Sequence, residues 1–358
     1  MNIGYMFESY QEKPTGINRY ILSLTSELLK MDQNDSFYAL EKNYLKLPIS
    51  EPCKILSESG LDFFPLYAKQ KKIDLIHSFF NAFDNISYPC KRILTVHDLI
   101  PMIHPEWFLP DMIPYFDKRI RKSCEMADII VADSNSTKSD IVNCFNIPAE
   151  KIKVVYLGVD KNIKFDTADD RIIDKYSLQN GYFLFVSRIE SRKNVKGLIE
   201  AFCEYRKSNP KSKVKLVIAG DKRIDVFNTV FSDEQEKMKD AIVFPGYVTD
   251  DELSALYKHC TAVCYISFYE GFGLPILEAM AAGKPVITSN ISSMPEVGGD
   301  AVLYCDPYDR DSIVDAMMKL VNNEKLAKDL QNKALERVKI FSYTKAANEI
   351  LNIYESLQ

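Results

Sequence analysis

The amino-acid sequence predicts an α/β protein made of two Rossmann-like, doubly wound domains. Short apolar segments typical of buried strands recur along the chain, helical segments lie between several of them, and the series starts again after a polar stretch. The length of 358 residues suits about two domains, and 46% hydrophobic with 27% charged residues is typical of a globular protein. Two such domains are expected to face each other across a cleft, which suits a reaction between two substrates.

In the first half, six apolar segments predict parallel strands, and a helix is expected over residues 17–31. The predicted strands cover residues 2–7, 37–40, 73–77, 92–96, 128–132 and 153–156. Residues 1–165 are therefore predicted to form the first domain.

Residues 161–174 are polar and charge-rich and predict a linker. A second series then predicts strands over residues 182–187, 214–219, 242–244, 262–266, 285–288 and 301–304. Residues 175–340 are predicted to form the second domain, and residues 341–358 a C-terminal helix that packs back on the first. Capping-box spacing over residues 249–252 and 293–296 predicts a helix start at each place.

Charge and composition exclude several classes of protein. The formal net charge of -5 gives no attraction to nucleic acid, so nucleic acid is not expected among the partners. No apolar run approaches the roughly 20 residues that span a bilayer, and the N-terminus enters a strand pattern without a signal peptide. The eight cysteines are scattered without a C-x-x-C pair, as in proteins with reduced thiols. We therefore expect a cytoplasmic protein.

The most informative segment runs from Glu270 to Glu278 and joins a predicted strand to a predicted helix. In open α/β sheets, ligands bind beyond the carboxyl ends of the strands, where a helix N-terminus offers N–H groups and a positive dipole end to an anion. Gly271 and Gly273 let the backbone approach a ligand closely. Glu270 is expected at the mouth of the site and Glu278 one helical turn inside. The alternative to a ligand-binding role is that Glu270 is an ordinary charged loop residue and Glu278 a solvated residue on the helix surface.

Two further positions combine a strand end with a residue suited to ligand binding. His97 directly follows the strand predicted over residues 92–96, and a histidine there can exchange hydrogen bonds near neutral pH. His77 occupies a similar strand end with less around it and is interpreted as structural. Gly16 lies between the first strand and the first helix, where it is either a ligand-binding position or a turn residue.

A basic loop follows the strand predicted over residues 182–187. Arg188 and Lys193 are placed where a forked guanidinium and a compact ammonium can hold a diphosphate, and each contact contributes on the order of 1.5–3 kcal/mol. A basic surface loop is the alternative. Asp309 and Asp311 resemble a D-x-D metal motif but fall at a predicted helix start, where Asp is a common cap. We therefore expect no metal ion and no cofactor.

Two groups of basic residues indicate either solvated surfaces or peripheral contact with anionic lipid. The group on a helix predicted over residues 110–128 comprises Lys118, Arg119, Arg121 and Lys122. The second group comprises Lys69, Lys71 and Lys72. The functional interpretation is a position on the inner face of the plasma membrane, beside a lipid-linked acceptor.

Together these segments resemble the retaining GT-B glycosyltransferases of family 4, over nearly the whole chain. The most specific segment is Glu270-x7-Glu278. Four more support it: TGINRY at residues 15–20, TVHDLIP at 95–101, SRIESRKN at 187–194 and SSMPEVGG at 292–299.

The resemblance implies a hexosyltransferase whose second domain holds a nucleotide-sugar donor and whose first domain serves a glycan or lipid-linked acceptor. Glu270 and His97 would contact the sugar, Glu278 the ribose, and Arg188 with Lys193 the diphosphate. The other donor-binding positions would be Gly16, Tyr247, Val248, Gly271, Phe272, Gly273 and Leu274. Transfer would retain configuration without a metal ion: a diphosphate oxygen takes the acceptor proton, and fixed charges stabilise the transition state.

Ser191 and Asn194 replace the proline and glycine of many relatives, which changes the loop but leaves its cations in place. Residues 95–101 and 192–194 are most similar to bacterial mannosyltransferases of polysaccharide synthesis, which favours GDP-mannose over a UDP-sugar. Two other classes stay open. Gly271-x-Gly273 allows an NAD-dependent oxidoreductase, although Ile276 stands where a third glycine is needed. A nucleotide-sugar-binding protein without catalysis is the other.

Overall fold

A computed structural model of the protein describes residues 1–6, 16–32, 34–42, 54–58, 69, 72–83, 89–160, 163–165, 170–221 and 238–358. These residues form two compact units, one of residues 1–160 with 341–358 and one of residues 161–340. Each unit is built around one parallel sheet. Thr15 of the TGINRY segment and the basic residue Lys71 lie outside the described residues. No helix in the described ranges is long and apolar enough to cross a membrane.

The sheet of the first unit has seven parallel strands in the order β3-β2-β1-β4-β5-β6-β7. They are β1 (Asn2–Met6), β2 (Ser36–Lys42), β3 (Lys54–Glu58), β4 (Leu75–Ser78), β5 (Lys91–Val96), β6 (Ile129–Ala132) and β7 (Ile152–Val154). Strands β4, β5 and β6 are mostly buried, as expected for a parallel sheet that is covered on both faces. The sequence pattern missed β3, because its residues KILSE form no continuous apolar run.

The sheet of the second unit has six parallel strands in the order β10-β9-β8-β11-β12-β13. They are β8 (Tyr182–Val186), β9 (Lys215–Ala219), β10 (Ile242–Gly246), β11 (Ala262–Tyr265), β12 (Val286–Ser289) and β13 (Leu303–Cys305). Every strand predicted in this half is present. The prediction of two Rossmann-like α/β units is confirmed, since each sheet runs outward from its first strand and then reverses.

Helices connect the strands of both sheets. They are α1 (Gly16–Met31), α2 (Ile100–Ile103), α3 (Ile113–Met126), α4 (Asn135–Phe145), α5 (Arg171–Lys175), α6 (Val195–Ser208), α7 (Asp250–His259), α8 (Leu274–Ala281), α9 (Met294–Gly298), α10 (Arg310–Asn322), α11 (Glu324–Arg337) and α12 (Tyr343–Glu355). The final helix α12 packs against α1, where Thr344 donates to the Glu27 carboxylate over 2.7 Å. The described residues between 163 and 174 lie in the second unit, and the last of them begin the short helix α5.

The strand order creates one reversal point in each sheet, between β1 and β4 in the first unit and between β8 and β11 in the second. At such a point, the loops that leave the two neighbouring strands turn to opposite faces of the sheet and open a crevice. The loop after β8 carries the basic residues, and the loop after β11 carries Glu270. The topology therefore brings these two predicted segments together.

His77 lies inside β4 and is fully buried, as expected for a structural residue. Its Nδ1 lies 2.7 Å from the Tyr354 hydroxyl of α12, and its Nε2 lies 2.9 Å from Thr95 Oγ1 of β5. Burial lowers the pKa of His77 from 6.5 to about 3, and the nearby His97 charge adds to this effect. The C-terminal helix is therefore joined to the first sheet through a neutral imidazole.

The pKa of His77 predicts how the first unit responds to acid. The folded state holds His77 at a pKa below its unfolded value. The contribution of His77 to the free energy of unfolding is therefore fully present above about pH 6.5 and is lost as the pH falls towards 3. One such group contributes a slope of about 1.4 kcal/mol per pH unit within this window. In urea titrations between pH 7 and pH 4, His77→Gln should lower stability at pH 7 but flatten its fall with acid. An unchanged slope would contradict this assignment.

Candidate functional site

The loops after β8 and β11 meet in a buried ionic cluster. Lys193 ends a short 3₁₀ turn over Ser191–Lys193, and its Nζ lies 2.5 Å from Glu270 Oε1 and 2.6 Å from the Tyr265 hydroxyl. Arg192 Nη1 lies 2.9 Å from Glu270 Oε2, so the two carboxylate oxygens face two different cations. Only 6% of the Lys193 side chain and 8% of the Glu270 side chain are exposed, whereas Arg192 is 21% exposed.

Burial and charge act in opposite directions on these groups. Burial alone would raise the pKa of Glu270, but the charges of Lys193 and Arg192 outweigh it and lower this pKa to about 2. Burial, together with the like charge of Arg192, outweighs the attraction of Glu270 and lowers the pKa of Lys193 to about 8. Glu270 is therefore ionised at every physiological pH, while Lys193 loses its proton in the mildly alkaline range.

Two serines that precede α9 hold the Glu270 loop. Ser292 Oγ accepts from the Glu270 N–H over 3.1 Å, and Ser293 Oγ donates to the carbonyl oxygens of Phe272 at 2.7 Å and Glu270 at 3.0 Å. The helix start predicted over residues 293–296 is confirmed, because α9 begins at Met294, but the capping box is not formed: the Ser293 hydroxyl serves this loop and makes no cap hydrogen bond to its own helix. The capping box at Thr249 and Glu252 is confirmed.

The glycine turn after Glu270 shapes the start of α8. Gly273 has a φ of +114°, a backbone conformation that L side chains rarely adopt, and it precedes the helix without a side-chain cap. Gly271 and Phe272 are buried, and Leu274 is the first helical residue. The uncapped N-terminus leaves its first N–H groups directed at the same end of the sheet, where the positive end of the helix dipole favours an anion.

Glu278 lies in the middle of α8 and is buried, so the alternative of a solvated helix residue is wrong. Its Oε2 accepts a hydrogen bond from the Tyr257 hydroxyl over 2.6 Å. Burial raises the pKa of Tyr257 well above 10, and the Glu278 charge adds to this effect, so the phenol stays a donor. Tyr257 thus fixes the orientation of the second carboxylate.

The remaining predicted donor positions lie at strand ends or helix starts. Arg188 follows β8 and is exposed. Tyr247 and Val248 follow β10, and 46% of the Tyr247 side chain is exposed. Gly16 is exposed and begins α1, which is held by an ion pair of 2.8 Å between Arg19 Nη1 and Asp160 Oδ2.

His97 directly follows β5 in the first unit, as predicted, and only 6% of it is exposed. Its ring bridges the ends of the two neighbouring strands: Nδ1 lies 2.6 Å from Asp133 Oδ2 after β6, and Nε2 lies 3.0 Å from the Phe79 carbonyl oxygen after β4. The His97 N–H donates to Asn81 Oδ1 over 2.8 Å. The loops after three adjacent strands thus fix this imidazole.

The partners of His97 determine its charge. Burial acts to lower the pKa of His97, but the Asp133 charge and the hydrogen bonds to Asp133 and Phe79 outweigh it and raise this pKa above 6.5. Because a carbonyl oxygen can only accept, Nε2 carries a proton, and Nδ1 faces a carboxylate. The arrangement suits an imidazolium paired with Asp133.

Sequence patterns missed the residues that hold the predicted ones. Arg192 was detectable as a second cation beside Lys193, and Asp133 as a carboxylate directly after a buried strand. Ser293 carried only the signal of a helix cap, and Tyr257 carried no local signal. Asp309 accepts from the Asp311 N–H at the start of α10, which confirms its interpretation as a cap. In the part of the chain that the structure describes, no group of three or more His, Cys, Asp or Glu side chains could hold a metal ion.

The sequence matches two described families along most of its length. Residues 168–337 match the family described as Glycosyl transferases group 1, and residues 14–162 match Glycosyltransferase Family 4. O-antigen chain mannosyltransferase B of Escherichia coli is 32% identical over 272 residues, which cover 75% of this chain and 71% of that protein.

Solved structures share the whole architecture. A glycosyltransferase from Rickettsia africae ESF-5 has a TM-score of 0.75 at 18% identity and covers 99% of this chain and 98% of its own. Anabaena HepE, solved in complex with UDP-glucose, has a TM-score of 0.73 at 18% identity and covers 99% and 100%. At these identities the similarity shows the fold, which is GT-B.

The alternative of an NAD-dependent oxidoreductase is excluded by the family match and by the position of the glycine turn. The dinucleotide fingerprint belongs to the first strand-to-helix turn of a Rossmann unit, whereas this turn follows β11, across the reversal point from the first strand β8. The two family matches, the similarity to the Escherichia coli protein and the shared architecture agree. The chain therefore belongs to the GT-B glycosyltransferases of family 4.

Proposed function

We propose that this glycosyltransferase moves mannose from GDP-mannose onto a glycan or lipid-linked acceptor in bacterial surface polysaccharide synthesis, with retention of configuration and without a metal ion. The observation that carries the donor site is the ionic cluster of Glu270, Lys193 and Arg192 at the reversal point of the second sheet. The Escherichia coli relative named O-antigen chain mannosyltransferase B supports both the sugar and the pathway.

In this proposal the charged groups of the second unit bind different parts of the donor. Lys193 and Arg188 hold the diphosphate, Glu270 accepts hydrogen bonds from the sugar, and Glu278 accepts them from the ribose. The N–H groups of residues 271–274 bind sugar and phosphate, and Tyr247 with Val248 lies beside the base. His97 and Gly16 of the first unit contribute further contacts to the transferred sugar and the donor.

The low pKa of Glu270 supports a reaction in which the donor itself takes the acceptor proton. A carboxylate with a pKa of about 2 is a weak base, because a general base works best when its pKa lies near the working pH. Its fixed negative charge can instead stabilise the positive charge that develops on the sugar ring. Lys193 and Arg188 stabilise the negative charge on the departing diphosphate, whose oxygen accepts the proton.

Donor choice is tested by a thermal-shift panel of GDP-mannose, UDP-glucose, UDP-galactose and UDP-N-acetylglucosamine. A preferred donor raises the melting temperature most, because it binds the folded state only. NMR of the product anomer tests retention, and turnover in the presence of a chelator tests metal independence. A larger shift with a UDP-sugar would favour the second candidate, a UDP-sugar transferase, for which the UDP-glucose complex of HepE is the supporting observation. Binding without turnover would indicate a binding protein.

We also propose that the first unit contacts the inner face of the plasma membrane through the surface that leads into α3. Leu109, Met112 and Tyr115 expose 69%, 41% and 60% of their side chains there. Lys118 and Lys122 are exposed one and two turns further along the same helix face as Tyr115. Apolar side chains beside basic ones match an anionic lipid surface, because the former enter the interface and the latter neutralise head groups.

Replacing all three apolar residues of this surface with serine should abolish co-sedimentation with phosphatidylglycerol-containing vesicles, because each remaining basic residue contributes only ~1 kcal/mol to membrane binding. Turnover of a water-soluble acceptor should stay within about twofold of wild type. Tyr308→Ser with Val321→Ser is the matched control, because these exposed side chains lie in the second unit. Retained binding by the triple variant, or equal loss by the control, would contradict the proposed surface.

A further inference from the structure

Arg192 makes contacts that go beyond those of a surface cation. Its Nη1 lies 2.9 Å from Glu270 Oε2 and 3.4 Å from the Tyr269 carbonyl oxygen, and its Nε lies 3.1 Å from Glu190 Oε2. Its own carbonyl oxygen accepts from the Phe268 N–H over 2.8 Å. One residue of the β8 loop therefore holds both the side chain of Glu270 and the backbone of the β11 loop.

The shared carboxylate places Lys193 and Arg192 in competition. In the cluster, two of the three ammonium hydrogens of Lys193 are directed at Glu270 and Tyr265. A diphosphate that binds Lys193 draws its charge away from Glu270, and an ionised carboxylate left alone in a buried site is costly. Arg192 removes this cost, because its guanidinium stays on the second carboxylate oxygen.

We propose that Arg192 is a positioning residue, which keeps Glu270 oriented and neutralised while Lys193 turns to the donor diphosphate. The proposal rests on the proposed function of the ionic cluster and assigns a role to a cation to which the resemblance gave none. Arg192 itself acts through Glu270 and Lys193 and is not assigned a contact with the reacting atoms.

The charges around Lys193 give this role a measurable signature. Lys193 faces Glu270 from the β11 loop, Arg192 and Glu190 from its own loop, and the Tyr265 hydroxyl and ring from β11. After burial, the like charge of Arg192 also lowers the pKa of Lys193, while the carboxylates raise it. Removing the guanidinium should therefore raise the pKa of Lys193.

The test compares two variants. Arg192→Met removes both the charge and the planar guanidinium, whereas Arg192→Lys keeps the charge but not the guanidinium. Transfer from GDP-mannose and binding of GDP are measured from pH 6.5 to pH 10, and melting temperatures are recorded. Arg310→Met is the control, because this exposed arginine of α10 pairs only with Asp311 among the residues described. Arg192→Met should lower kcat about tenfold at pH 7, equivalent to ~1.4 kcal/mol.

The alkaline loss of GDP affinity should move to higher pH in Arg192→Met, although its kcat is lower. Arg192→Lys should keep the wild-type pH profile and recover kcat only in part, since it lacks the forked contact. A variant that merely destabilised the fold would lower kcat without moving the loss of GDP affinity to higher pH. Wild-type kcat in either variant, or an unmoved profile in Arg192→Met, would overturn the positioning role. If the wild-type protein binds neither GDP nor UDP, the proposed function itself fails. If the wild-type protein binds GDP and the Arg192 variants behave like it, only the positioning role fails, so the two outcomes are distinguishable.

Discussion

Replacing Glu270 with glutamine should lower the rate of sugar transfer by at least about a hundredfold, equivalent to ~2.7 kcal/mol. Glutamine has the same shape but carries no charge, and its single amide oxygen can replace only one of the two carboxylate oxygens that accept from Lys193 and Arg192. The variant therefore removes the negative charge that we assign to stabilising the sugar ring in the transition state, at little change in volume. Steady-state kcat with the donor preferred in the thermal-shift panel is the measurement. A rate within a few-fold of wild type would refute the role of Glu270.

Stability changes must be separated from this effect, because Glu270 neutralises a buried cation. Glu270→Gln leaves the Lys193 ammonium uncompensated, and breaking a buried ion pair on one side typically costs 3–5 kcal/mol, about the upper limit expected here. The double variant with Lys193→Met should recover part of this stability but none of the activity. Glu204→Gln, which breaks an exposed pair of 3.5 Å with Lys207 on α6, is the matched control and should change neither quantity appreciably.

Replacing Lys193 with methionine should weaken GDP binding by roughly tenfold to a hundredfold, the effect of losing one charge-assisted contact of about 1.5–3 kcal/mol. Methionine fills the buried volume without the charge, and Glu270 keeps Arg192 as its partner. Isothermal titration calorimetry at pH 7 measures the change. Lys196→Met is the matched control: this lysine lies three residues further along the chain, and its side chain is 64% exposed. Equal losses in both variants would indicate a non-specific charge effect.

The pH dependence of GDP binding provides an independent check on Lys193. Only the protonated ammonium attracts phosphate, so wild-type affinity should be constant below about pH 8 and should fall as the pH rises through the pKa of Lys193. Lys193→Met should show no such fall. A wild-type affinity that stays constant to pH 10 would exclude Lys193 from the phosphate contact.

Local sequence patterns were sufficient to predict the two sheets. A strand buried on both faces forms a continuous apolar run, and Tyr182–Val186 and Ala262–Tyr265 are detectable for that reason. The ends of these runs also locate the loops that can bind a ligand, because parallel strands end at the same edge. The one missed strand, Lys54–Glu58, has polar residues at three of its five positions and therefore lacks this signal.

The pairing of charges within those loops was not predictable in the same way. The loop after β8 carries three cations, Arg188, Arg192 and Lys193. Their sequence positions do not show which of them contacts Glu270. Lys193 and Glu270 are 77 residues apart, and they meet because β8 and β11 are neighbours in the sheet. The hydroxyl of Ser293 likewise fits a helix cap by spacing, yet it bonds carbonyls more than 20 residues earlier.

The sequence by itself determined that this protein has two parallel α/β units, and it predicted the candidate site residues in the segments after β5, β8 and β11. Hydrophobic periodicity and glycine placement are local properties, so they can be interpreted without a fold. Only the tertiary structure decided that Glu270 is buried between two cations, that Tyr257 orients Glu278, and that Asp133 sets the charge of His97. These partners come from distant segments, and their electrostatic effects depend on distance and burial, which strand order and packing define.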